Sequence, residues 1–261
     1  MHLQRATFAF AVIAAALALP AQTLPTLRAK CEITPSTQTG KFSLHVFDSG
    51  DCPGGHHCDS NFDNESTTRF TGITLADLER EGAKLTATIS AEAGAFTCTG
   101  TVHDQELYGD ALFTPDSAFV DRMAKLGFTG YDSRKLEAYA FVNVTSEFAH
   151  SLQQAQIQGV TTDNLIALRI FNIDPAYAQG FVTLGYGQPD ADKLIALKVQ
   201  GVNEDFIKGL QAAGFKPDVD EVVAAKVMGI TPQFIELARS HGFKNLDLNK
   251  LIQLKHANVL E

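Results

Sequence analysis

The chain has 261 residues, of which 45% are hydrophobic and 20% are charged. This composition is typical of a folded globular protein and excludes an intrinsically disordered chain. The formal net charge of −9 provides no field that would attract a phosphate backbone, so we expect no nucleic-acid partner.

The N-terminal segment carries the pattern of a signal peptide. Arg5 precedes an uncharged apolar run over residues 8–19, which matches the core of a signal peptide and is short for a membrane-spanning helix. Ala18 and Ala21 are small residues at which cleavage could occur. We therefore predict a signal peptide over residues 1–21, export to the periplasm or the extracellular space, and no transmembrane segment. The alternative is a buried N-terminal helix.

The chain has four cysteines, all before residue 100, and an even number in one region of an exported protein indicates two disulfides. Four cysteines allow three pairings. Proximity in the sequence favours Cys52 with Cys58, which leaves Cys31 with Cys98.

Residues 22–114 predict a small antiparallel β domain. Phe42, Leu44 and Val46 alternate with more polar residues, and the same period of two recurs around Ile89 and Phe96 and up to residue 113. A short helix is expected after Thr74, because Asp77 is placed to complete a capping box with it. If Cys98 lies on the inner face, its disulfide would tie the N-terminal segment to the core.

Residues 48–63 form a loop rich in glycine, aspartate and histidine. Its imidazoles and carboxylates are competent zinc or copper ligands, and the candidate set is His56, His57, Asp51 and Asp59. No standard ligand spacing such as Cys-x-x-Cys is present, and oxidised cysteines cannot bind a metal. The sequence therefore favours a disulfide-closed loop, and we expect no cofactor.

The remainder, residues 115–261, contains five similar segments with a period of 29 residues, one of them shortened by a deletion. Each segment begins with a residue that can cap a helix, and the residue three positions later is always aromatic. The capping residues are Asp116, Thr145, Asp174, Asn203 and Thr231. The aromatic residues are Phe119, Phe148, Tyr177, Phe206 and Phe234.

Each segment also predicts a second helix, capped by Asp132, Thr161, Asp190, Asp218 and Asp247 in turn. Most of the predicted helices end at glycine or asparagine followed by an apolar residue, which is the pattern of a left-handed helix terminator. In the second segment Gln156 replaces this glycine after the first helix, so a weaker or differently shaped turn is expected there. Helices of about ten residues are marginal alone, so the pairs should stack as an α-solenoid, with the first pair against the sheet. The expected fold class is α+β.

Four basic residues recur at one position in the last turn of the second helix: Arg169, Lys198, Lys226 and Lys255. Cations are favourable beside the negative end of a helix, by about 0.3–1 kcal/mol each. Alternatively they form a basic stripe that contacts an acidic partner or membrane headgroups. The acidic chain as a whole favours the first interpretation.

One segment of these repeats, Leu194 to Val202 followed by a capped helix and Gly214-Phe215, resembles part of a known bacterial family. It is similar to repeats that follow the peptidase domain in some beta-lactam-sensing, antirepressor-regulating metallopeptidases. The stretch of residues 92–116 is similar to the β segment that precedes those repeats. The family's His-Glu-x-x-His zinc motif and transmembrane bundle are missing here. The resemblance implies a free-standing, exported, non-catalytic module of bacterial origin, and it transfers no functional residue.

These features favour a non-catalytic exported interaction or scaffolding protein that binds a protein or peptide partner through its helical repeats. The alternative is a metal-binding or sensing module, or a hydrolase, that uses the loop of residues 48–63. No nucleophile elbow or phosphate-binding loop supports an enzyme.

Overall fold

A computed structural model describes residues 24–47 and 59–260. In these residues a seven-stranded sheet comes first, with every neighbouring pair antiparallel and the spatial order β3-β2-β1-β7-β6-β5-β4. The strands are β1 (Leu27–Pro35), β2 (Lys41–Phe47), β3 (Ser60–Ser66), β4 (Phe70–Thr71), β5 (Lys84–Ala91), β6 (Gly94–His103) and β7 (Glu106–Pro115).

The alternation predicted from the sequence is confirmed in the sheet. Phe42, Leu44 and Val46 of β2 are buried while their neighbours are partly exposed. Thr74 and Asp77 form the predicted capping box, but the segment that they cap is one 3₁₀ turn, Leu75–Asp77, where a short helix was expected. The helix does not extend because its next residues form a hydrogen-bonded turn that leads directly into β5.

The predicted bond between Cys31 and Cys98 is present and shows how strongly the sheet curls. The two cysteines lie on β1 and β6, which are separated in the sheet by β7. Strands two places apart in a flat sheet are about 9–10 Å apart, whereas these Cα atoms are separated by 5.9 Å. The sheet must therefore bend sharply over β7. Phe42 of β2 and Phe70 of β4, near opposite edges of the sheet, come within 5.1 Å between ring centroids.

Two glycines permit this bend. Gly100 of β6 lies opposite Gly109 of β7 in the ladder. A Cβ on Gly109 would lie 2.0 Å from the carbonyl oxygen of Thr99, and a Cβ on Gly100 would lie 2.0 Å from that of Tyr108. No side chain fits at either position, so the close approach of the two backbones requires glycine.

Ten α-helices follow the sheet within the described residues, so the α+β class is confirmed. None of the described helices has the length and apolar character needed to cross a bilayer. The helices are α1 (Ser117–Lys125), α2 (Ser133–Val142), α3 (Ser146–Gln154), α4 (Leu165–Ile170), α5 (Pro175–Thr183), α6 (Ala191–Val199), α7 (Glu204–Ala212), α8 (Val219–Val227), α9 (Pro232–Ser240) and α10 (Leu248–His256).

Nine of the ten described helices have the predicted N-cap residue, and its side chain accepts a backbone N–H in each. The exception is α4, which begins only after Asn164. Ahead of it, Thr161 and Asn164 form reciprocal capping-box bonds in which each side chain accepts the other's backbone N–H, so the predicted cap is present three residues before the assigned helix.

The predicted helix terminators all have positive φ, from Gly127 through to Asn258. The apolar residue after each one donates its N–H five residues back, as Phe128 does to Met123 at 2.9 Å. The differently shaped turn expected at Gln156 is not present: its φ is 57°, and Ile157 donates to Leu152 like its counterparts, while a weaker turn there stays a prediction. A glutamine here therefore adopts the left-handed conformation at some cost in energy.

Equivalent helices of neighbouring pairs contact one another. The contacts join α1 with α3, α2 with α4, α4 with α6, α6 with α8, and α8 with α10. Side chains also reach the preceding pair: Gln153 donates to the Leu126 carbonyl at 2.6 Å, and Arg239 to that of Ala213 at 2.6 Å. Helix α2 packs on β5, β6 and β7. One hydrophobic core therefore runs from the sheet into the helices, and a second cluster lies around Leu210 and Ile235.

Replacing Gly109 by Ala is expected to lower the free energy of unfolding by about 3 kcal/mol, because the new methyl carbon would clash with the backbone of β6. Chemical unfolding followed by circular dichroism measures this change. Gly180→Ala in α5 is the matched control, since a Cβ there has no heavy atom within 4 Å and alanine favours a helix by up to about 1 kcal/mol. An unchanged midpoint for Gly109→Ala would contradict the close approach of the strands.

Candidate binding surface on the helices

The four predicted basic residues lie over aromatic rings. Each cation of a second helix sits above the aromatic residue of the first helix in the same pair, at 4.5–5.5 Å from the ring centroid. The pairs are Arg169 with Phe148, Lys198 with Tyr177, Lys226 with Phe206, and Lys255 with Phe234.

This arrangement gives the basic residues a role within each pair. A cation over a ring contributes about 0.5–1 kcal/mol at exposed sites, in addition to its favourable place at the helix end. Arg169 also donates from Nε to the carbonyl of Asn143 at 3.1 Å, which joins two successive pairs. Sequence reasoning missed the ring contact, although the aromatic and basic positions both recur at the same period.

A row of exposed aliphatic residues adjoins these cations. Ile170, Val199 and Val227 each follow a basic residue of the column and are 53%, 50% and 58% exposed. The equivalent residue in α2 is Phe141, which is 4% exposed because it packs on Phe62 and Phe96 of the sheet, at 4.2 and 5.0 Å between centroids. The face that the sheet covers in the first pair is thus left open in the next three. We call Ile170, Val199 and Val227 the aliphatic row.

An open groove of about 460 Å³ lies between α5, the end of α6 and the start of α7. Its apolar walls include Tyr177, Phe181, Leu184 and Val202, and Gly180 lies at an exposed position between them. Lys198 is the basic residue that lines it. The volume falls within the range of about 300–1,000 Å³ that is typical of ligand sites. We call it the α5–α7 groove.

The groove exists because the residue that packs on the glycine differs between this pair and the next. Gly180 has no heavy atom within 4 Å of the position of a Cβ, whereas its counterpart Gly209 has Pro232 Cγ at 3.4 Å. The position of Pro232 is taken by Glu204 at the start of α7, and its carboxylate lies 2.5 Å from Lys208 one turn further along its own helix. The gap next to Gly180 therefore remains unfilled.

Tyr177 gives the groove an unusual polar group. Its hydroxyl is buried and has no hydrogen-bond partner among the described residues. Burial raises the pKa of Tyr177 to about 12. A buried hydroxyl without a partner costs about 1–3 kcal/mol of stability.

Only one of the four candidate metal ligands falls within the described residues. Asp51, His56 and His57, with Cys52 and Cys58, lie outside the described part of the chain, so the metal site and the second disulfide stay predictions. Asp59 is described and is exposed. Across residues 24–47 and 59–260, no cluster of three or more His, Cys, Asp or Glu side chains could hold a metal ion.

Comparisons by family model, by curated protein sequence and by solved structure give no match to this chain. The resemblance to the repeats of bacterial sensor metallopeptidases therefore stays a prediction. The surface on the helices has to be interpreted from its own chemistry.

Tyr177→Phe is expected to raise the free energy of unfolding at neutral pH by about 1 kcal/mol, because it removes a buried hydroxyl that lacks a partner. Tyr139→Phe is the matched control. Its hydroxyl donates to the Thr162 carbonyl at 2.6 Å, so its loss should lower stability by about 1 kcal/mol. Urea unfolding measures both changes, and a loss of stability in Tyr177→Phe would contradict the assignment.

The same variant should change the response to alkali. The pKa of Tyr177 is raised above its unfolded value of about 10, so the unfolded chain loses this proton first. The free energy of unfolding is therefore unaffected by Tyr177 below about pH 10 and falls as the pH rises towards 12. The stability of the wild-type protein should therefore fall more steeply than that of Tyr177→Phe between about pH 10 and 12. If the free energy of unfolding falls equally steeply with pH in both proteins over this interval, the raised pKa of Tyr177 is contradicted.

Proposed function

We propose that this chain is an exported, non-catalytic interaction protein whose helix pairs form an α-solenoid that binds a protein or peptide partner. The observation that carries the proposal is the exposed aliphatic row. Exposed apolar side chains that recur next to charged residues on successive helix pairs are suited to an interaction site.

The first helix pair indicates what such a surface does. In α2 the position equivalent to the aliphatic row is buried against aromatic rings of the sheet, and Arg69 donates to the Ala140 and Phe141 carbonyls at the end of that helix, at 3.0 and 2.7 Å. The next three pairs keep an apolar residue at this position and lack the sheet. A partner that laid apolar side chains along the row would bury it in the same way.

Two further features support the cellular context of this proposal. The bond between Cys31 and Cys98 is fully buried and is typical of proteins that fold in an oxidising compartment. The predicted signal peptide and the resemblance to extracytoplasmic repeats of bacterial sensors agree with export. The proposal needs no catalytic group.

Affinity capture from the cell envelope of the source organism tests the proposal. A variant with serine at Ile170, Val199 and Val227 should recover the specific partner about tenfold less well, because each substitution removes apolar area from the contact. The matched control carries serine at Tyr108, Leu237 and Val259, which are also exposed but lie outside the row. Equal recovery by both variants would show that the aliphatic row does not bind the partner.

A further inference from the structure

We propose that the α5–α7 groove binds the C-terminal residue of a peptide, with its carboxylate at Lys198 and its apolar side chain between Tyr177 and Leu184. This inference rests on the proposed function and names the part of the partner that is recognised.

The charge of the groove favours an anion. Within the described residues, Lys198 has a ring contact with Tyr177 but no carboxylate within salt-bridge distance. Glu204, the acidic residue that lines the groove, is paired with Lys208. One positive charge is therefore left without an opposite charge, beside walls that are mainly apolar. The N-terminus of α7 lines the same groove, but Glu204 and Asp205 occupy its first turn, so the attraction for an anion comes from Lys198.

The end of a peptide fits this combination better than an internal segment. A C-terminal residue carries a carboxylate and an apolar side chain on the same Cα, so both groups reach the site together. An internal aspartate or glutamate would bring the charge without an apolar side chain on that residue. Lys198 lines the groove together with Phe181 and Val202, so its charge lies close to apolar side chains.

The next helix pair provides an internal comparison. Lys226 lies 4.9 Å from the ring centroid of Phe206, an arrangement close to that of Lys198 with Tyr177 at 4.5 Å. There the side chain of Pro232 packs at Gly209, so the space is filled. Lys226 therefore shares the cation–ring contact of Lys198 without an equivalent open position beside the glycine. This makes it a control for any effect of removing charge alone.

A pool of N-terminally labelled random hexapeptides tests the inference, with one half made as free acids and the other as C-terminal amides. Each half is passed over the immobilised full-length protein, and the retained peptides are identified by mass spectrometry. We expect free acids with an apolar last residue to be retained about tenfold more than the amides, because a charge-assisted contact is lost in the amide.

Three variants locate the site. Gly180→Leu fills the groove and should abolish retention; leucine is accepted at this position in the last pair, as Leu237, so the variant should fold. Lys198→Met should reduce retention about tenfold, whereas Lys226→Met should leave it unchanged. Thermal unfolding confirms that each variant is folded before its retention is compared.

The results separate the inference from the proposed function. Equal retention of acids and amides would overturn the carboxylate recognition, while binding through the helical surface would stand. Unchanged retention by folded Gly180→Leu would place the site elsewhere and overturn the inference. A labelled long-chain fatty acid is passed over the protein in parallel. If the fatty acid is retained and no peptide is, the C-terminal end of a peptide is not the ligand. Retention of no peptide would overturn the inference too, and the capture experiment would decide the function independently.

Discussion

Each helix pair depends on its neighbours, because nine of the ten described helices have only nine or ten residues and the other has six. Helices of this length are marginal alone in water, so most of their stability must come from packing. The apolar residue after the terminator is buried in seven of the ten described helices, as Ile173 and Ile230 are at 0% exposure. The backbone turn and the packing of the pair are thus set by the same two residues.

Helix α2 connects this arrangement to the sheet. Phe141 faces the sheet, while Leu136 and Tyr139 of the same helix are fully buried in the common core. The first helix pair therefore packs on an apolar surface that the sheet provides. The later pairs repeat the geometry of α2 without such a surface, which leaves the aliphatic row accessible to another molecule.

Much of the helical region could be predicted from the sequence, because capping and termination are local and depend on residue types at fixed spacing. The later start of α4 was not predictable, since Thr161 is as competent a cap as Thr145 and its side chain makes the same bond to the third residue along. The curl of the sheet was missed because the pairing of β1 with β7 joins residues about 80 apart in sequence, such as Lys30 and Asp110. The groove was missed because a periodic pattern shows only which residues recur. The groove arises where Glu204 takes the position that Pro232 has in the last pair, which leaves the space beside Gly180 unfilled.

The bend of the sheet also determines how the disulfide can be reached. Cys31 and Cys98 are both 0% exposed inside the curled sheet. Exchange requires a thiolate to approach one of the sulfur atoms, which the folded sheet prevents. Oxidation must therefore take place before the strands close over β7. Afterwards an external reductant gains access only when the sheet opens, so the protein retains its crosslink for as long as it stays folded.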